Sequence, residues 1–146
     1  PRQMPRQTSW IKNLTADAAF SAIAAIVVLL LLPPPSAVAS DTASAMLEEF
    51  KLIAAAPFSL QAGNATWTRV LNGRSCTSCH TESVLAQGSH EKTGKVIEPM
   101  APSVNPQRLT DRKKINKWFL RNCKWTFGRE CTAQEKGNIL FWLSRQ

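Results

Sequence analysis

The sequence predicts an all-α domain, and three observations carry that prediction. Apolar residues recur at helical spacing in separate stretches between residues 43 and 143. Ser59, Asp111 and Thr132 stand at the starts of three of these stretches, where N-caps belong. No alternation of apolar and polar residues long enough for a convincing strand occurs after residue 40.

Taken in order, Ala43 to Ala56 is Ala-rich, with Met46, Leu47, Phe50, Ile53 and Ala54 at helical spacing. Pro57 stops that helix, since proline lacks the amide hydrogen a further turn needs. Ser59 caps a second helix carrying Leu60, Gly63, Trp67 and Val70. Residues 81–110 hold prolines and no clear period, so they read as a long loop that is functional or held by something else. Thr110-Asp111 opens the next helix. Ile115, Trp118, Phe119 and Asn122 share one of its faces, with Lys113, Lys114, Lys117 and Arg121 on the opposite one. Thr132-Ala133-Gln134-Glu135 fits a capping box and leads into Ile139, Leu140, Phe141, Trp142 and Leu143.

Ahead of this domain, Ala18 to Leu32 contains no charge and a single polar residue, Ser21. Arg2, Arg6 and Lys12 precede it, and Pro33 to Pro35 then Ala37-Val38-Ala39 follow. A basic flank, a short apolar run and small residues at alternate positions make a secretory signal. An uncleaved membrane anchor is the alternative, but at ~1.5 Å per residue the run spans only about 22 Å of a ~30 Å hydrocarbon core. The expected division is a signal peptide over residues 1–40, cleaved after Ala39 or Ser40, and one domain over 41–146. The mature protein is then periplasmic and meets the membrane only transiently, during export.

The 146 residues suit one ordinary domain, and 44% hydrophobic against 19% charged residues excludes a disordered chain. A net charge of +8 with a pI near 9.8 invites a nucleic-acid-binding reading. Three basic residues and one acid leave with residues 1–40, so the mature net charge falls to +6.

The most informative pentapeptide is Cys76-Thr77-Ser78-Cys79-His80. Two thiols one helical turn apart can each form a thioether to a vinyl group, and the adjacent imidazole can take one axial face of the iron. This spacing predicts one covalently attached haem c. Zinc binding with His80 or His90, and a redox dithiol, are the alternatives. The dithiol lacks its usual βαβ setting, and export favours haem. Cys123 and Cys131 lie between the last two helices, and in an oxidising compartment a disulfide is their simplest reading. Closing that loop would contribute at most about 2.6 kcal/mol.

Three residues compete for the second axial position. Met100 sits in the loop Glu98-Pro99-Met100-Ala101-Pro102, and a Met ligand raises the potential. His90 would give a bis-histidine site. Asn122 is the only uncharged polar residue on its apolar helix face, and a buried carboxamide needs partners. Its ordinary explanation is a satisfied core Asn or a helix C-cap. Spacing does not choose among the three.

The segments Cys76 to His80, Thr93 to Ser103, Arg108 to Asp111, Lys117 to Cys123 and Gly128 to Thr132, closed by Glu135-Lys136 and Trp142-Leu143, together resemble one family. It is the SHP (sphaeroides haem protein) family of monohaem cytochromes c, and the resemblance spans roughly residues 60–146. It implies a class I-like, cytochrome c-like helical domain wrapped around the haem. Carried over residue by residue, it implies His80 as proximal ligand, Asn122 as distal ligand of the oxidised haem, and a Cys123–Cys131 bridge. It further implies that the Asn leaves on reduction, that small diatomic ligands such as oxygen then bind, and that the electron donor is a dihaem cytochrome c. A neutral carboxamide is a hard donor that suits ferric iron better than ferrous, which agrees. The bridge, bonded to the next residue, is expected to tune the ligand's return.

The resulting expectation is electron transfer with redox-gated ligand binding, the alternative being a plain carrier using Met100. No catalytic acid or base is assignable, so enzymatic activity stays undecided. Arg121 and Arg129 are either solvated charges or stabilisers of a bound anion. Nucleic acid drops out as a partner. Two haem propionates would lower the net charge to about +4, and the basic residues of one helix form either a solvated face or a docking surface for an acidic redox partner.

Overall fold

The computed structural model describes residues 40–146. The expected signal peptide lies outside these, apart from Ser40. The elements are helices α1 (Asp41–Lys51), α2 (Leu60–Thr68) and α3 (Thr77–His80), strands β1 (Gly88–Ser89) and β2 (Val96–Ile97), then α4 (Arg112–Phe127) and α5 (Ala133–Leu143).

Ser40 starts α1, its Oγ accepting from the Ala43 amide at 3.1 Å while its hydroxyl donates to the Leu109 carbonyl. Asp41 in the first turn and Lys51 in the last suit the helix dipole. The helix ends at Lys51, short of Pro57 and of the expected Ala56. Leu52 and Ile53 donate to Glu49 and Phe50 three residues back, a tightened last turn that rotates both side chains outward. Ile53, expected on the buried face, is therefore 76% exposed. Val70 is likewise outside α2 and exposed, because α2 ends at Thr68.

Helix α2 is seated directly on α5. A Cβ at Gly63 would run into the Asn138 carbonyl and the Trp142 Cβ, and one at Gly137 into the Phe58 ring. Asn138 secures the junction, its Oδ1 accepting from the Ser59 amide at 3.2 Å. Trp67, Val84, Ala101, Ile139, Trp142 and Leu143 form one buried cluster. Ala43, Met46, Leu47, Ile115 and Leu140 form a second, between α1, α4 and α5.

The fold departs from all-α in one detail within residues 81–110. Strands β1 and β2 pair antiparallel, Gly88 opposite Ile97 and Ser89 opposite Val96. Two residues a side are too few to leave an alternating pattern in the sequence. The remaining loop is pinned to its neighbours: the Met100 and Ala101 amides donate to the Val84 carbonyl at 2.9 and 3.0 Å. Arg108 donates to the carbonyls of Pro99 at 2.8 Å and Glu98 at 2.6 Å.

Helix α4 starts at Asp111, which accepts from the Lys114 amide at 3.1 Å, and ends at Gly128 with φ 69°. That left-handed turn suits a residue without a Cβ. The capping box of α5 forms as expected, Glu135 accepting from the Thr132 amide at 2.9 Å. Arg129 at 2.8 Å and Arg69 at 2.7 Å also donate to Glu135. These two bonds, chiefly Arg129's, outweigh burial and hold its pKa down at about 2.

Stability contributed by the Glu135 carboxylate is present above its ordinary pKa and lost as the pH falls toward about 2. Glu135→Gln is expected to destabilise the fold by about 1–2 kcal/mol at neutral pH, from a weakened cap and clamp. Urea melts across pH should also show a flatter acid dependence in the variant than in the parent.

Candidate haem site

The attachment motif is built by local hydrogen bonds. The Cys79 and His80 amides donate to the Cys76 carbonyl at 3.3 and 3.1 Å, which closes the single turn of α3. The Ser75 amide donates to Ser78 Oγ at 3.1 Å and fixes the entry. Both thiols are free, and with His80 they line a cavity of about 650 Å³. Burial and the nearby Arg108 cation push the His80 pKa down to about 4, so the ring keeps a lone pair for a metal. Burial raises the Cys76 thiol to about 11, which keeps it a neutral thiol. Trp67 packs against the imidazole, ring centroids 5.1 Å apart, and Trp142 backs Trp67 at 5.6 Å.

Strand β1 closes in behind this turn. A Cβ at Gly88 would collide with the Cys79 carbonyl and the His80 Cα, so only glycine allows that approach. Cys123 and Cys131 are paired with each other, Cα atoms 5.5 Å apart, and do not converge with the other two cysteines. No cluster of three or more His, Cys, Asp or Glu side chains suited to a metal ion occurs among the described residues. The donor set of two free thiols, one neutral imidazole and a large cavity fits haem rather than four-thiolate zinc.

All three candidate second ligands, His90, Met100 and Asn122, border the cavity. His90 is engaged: its Nδ1 accepts from the Lys92 and Thr93 amides, each at 3.3 Å. Met100 packs against the buried cluster containing Trp67. Asn122 stands in mid-α4, and its carboxamide has no hydrogen-bond partner among the described residues. Gly128 makes the C-cap, so neither ordinary explanation of Asn122 applies.

Two expectations about charge need correction. Lys114 and Arg121 do not face away from Asn122; both border the cavity beside it. The wall takes in a broad arc of α4, from Lys114 through Trp118 and Asn122 to Trp125, wider than the apolar stripe suggested. Arg129 spends its guanidinium on Glu135 and does not border the cavity, which removes it as a stabiliser of an anion bound there. Sequence reasoning did not single out Trp67, Arg108, Trp125 or Thr126 as site residues. Thr126 is buried and borders the cavity with Cys76, and its only sequence signal was its place one turn beyond Asn122.

Two free thiols and an adjacent imidazole lining one large cavity suit a c-type cytochrome, the class in which haem c is held through two thioethers. A family model described as a domain of unknown function (DUF1924) matches residues 53–143. The chain is 40% identical over 115 residues to the cytochrome c-type protein SHP of Cereibacter sphaeroides, covering 75% of this chain and 88% of that protein. The structure of oxidised SHP, an oxygen-binding cytochrome c, superposes with a TM-score of 0.68 at 36% identity, over 73% of this chain and 99% of that one. The solution structure of cytochrome c'' from Methylophilus methylotrophus gives a TM-score of 0.64 at 29% identity, over 71% and 93%. The chain belongs to the SHP family of c-type cytochromes.

Gly88→Ala is expected to force β1 off the attachment turn, at a cost of about 2 kcal/mol or more, as overpacking against backbone does. Thermal melts and the haem-to-protein ratio of the purified variant should both fall below the parent's.

Proposed function

We propose that this chain is an exported cytochrome in which Asn122 completes ferric coordination opposite His80 and withdraws on reduction, admitting a small diatomic ligand such as oxygen. The unpartnered carboxamide of Asn122 on the cavity wall carries this reading. Oxygen binding in SHP and the haem-ligand detachment addressed in the cytochrome c'' structure support it by similarity. Haem supplies the redox couple and the coordination position. Asn122 supplies a hard, neutral oxygen donor whose hold weakens as the iron gains an electron. Met100 and His90 are the competing donors, and both are already engaged in packing or hydrogen bonds. We assign no catalytic acid or base.

Lys113 and Lys117 of α4 are exposed and outside the ion pairs found among the described residues, and they suit an acidic electron donor such as a dihaem cytochrome c. Export to the periplasm follows from the apolar segment before Pro33. We place cleavage after Ala39 rather than Ser40, because Ser40 both caps α1 and bonds Leu109. The mass of the exported chain should therefore begin at Ser40; a start at Asp41 would contradict this.

Asn122→Ala is expected to change the ferric absorption spectrum and leave carbon monoxide binding by the ferrous protein intact. Met100→Leu should leave the ferric spectrum unchanged. The reverse pattern, or a ferrous parent that ignores carbon monoxide, would establish the Met100 carrier instead.

A further inference from the structure

On the wall that bears Asn122, two indoles flank it. Trp118 lies four residues before it and Trp125 three residues after, so both project from the same side of α4. Their attachments differ. Trp125 is half-buried, and Arg74 covers it from outside, donating to its backbone carbonyl at 3.3 Å and lying 5.0 Å from its ring centre. Trp118 is 47% exposed, and its indole has no hydrogen-bond partner among the described residues. Its ring is flanked by two cations of its own helix, Arg121 at 5.3 Å and Lys117 at 5.7 Å. Exposed cation–π contacts of this kind are weak and break readily.

We propose that Trp118 is the gate through which a ligand reaches the side of the haem vacated by Asn122, with Arg121 as its latch and Trp125 as the fixed opposite wall. The inference rests on Asn122 being the departing ligand. A flat indole turning about its two side-chain bonds opens a gap beside Asn122, while the bridged helix behind it stays in place. A gap the size of one displaced ring passes diatomics more readily than longer molecules. Selection by size, rather than by hydrogen bonding, is the specificity Trp118 provides. Arg121 acts through Trp118 and is a positioning residue.

The test is flash photolysis of the ferrous holoprotein with two probes, carbon monoxide and n-butyl isocyanide. Trp118→Ala is expected to raise association of the isocyanide more than that of carbon monoxide, so the ratio of the two rates falls. Arg121→Gln leaves the ring in place and is expected to speed carbon monoxide entry by about two- to fivefold, the range that one exposed cation–π contact supplies. An unaltered ratio in Trp118→Ala together with an unaltered rate in Arg121→Gln would overturn the gate. Failure of the Asn122 reading registers elsewhere, as an unchanged ferric spectrum in Asn122→Ala, so the two failures are distinguishable.

Discussion

Trp67 joins the Cys76–His80 turn to the helical frame, and much of the site depends on that joint. Its ring packs against His80 on one side and Trp142 on the other. It reaches both because Gly63, one turn earlier on α2, lets the helix backbone rest on α5. A larger residue there would lift α2 and draw Trp67 away from both Trp142 and His80. The imidazole would then be held only by its own short turn. Val84 belongs to the same cluster, and its carbonyl receives the Met100 and Ala101 amides. Packing around one tryptophan thus sets the orientation of His80 and the course of the long loop.

Helix α4 serves two surfaces at once. Its cavity side carries Asn122 and the aromatic rings, while its outer side carries cations that are only partly neutralised. Arg112 pairs with Glu49 at 2.7 Å and Lys124 with Glu130 at 3.4 Å. Such exposed pairs contribute little to stability, so the helix owes its place to Ile115 and Phe119 against the core. Its outer charge is free to be shaped by the needs of association.

Much of the helical frame was legible because caps are local chemistry. Ser59, Asp111 and the Thr132–Glu135 box all act within one turn of themselves, so their residues suffice to place them. The attachment motif was legible for the same reason. What escaped depends on distant chain segments. Gly63 looks like an ordinary helical residue until α5 arrives, and Gly88 like a loop residue until it meets the Cys79–His80 turn. The placing of Lys114 and Arg121 opposite Asn122 erred because hydrophobicity marked only the apolar part of a wall that also admits cations at its edge. The short strands were too brief for any period to register.

The Cys123–Cys131 link fastens α4 to the start of α5 immediately beyond Asn122. The same corner contains Gly128 and the Glu135 clamp on Arg69 and Arg129. Moving the backbone at Asn122 would drag this whole corner with it, whereas rotating the side chain disturbs only the carboxamide. In the proposed cycle, each electron therefore displaces a few atoms instead of a helix. The protein carries little mechanical inertia between its two oxidation states, and the displaced group always starts its return from the same anchored point.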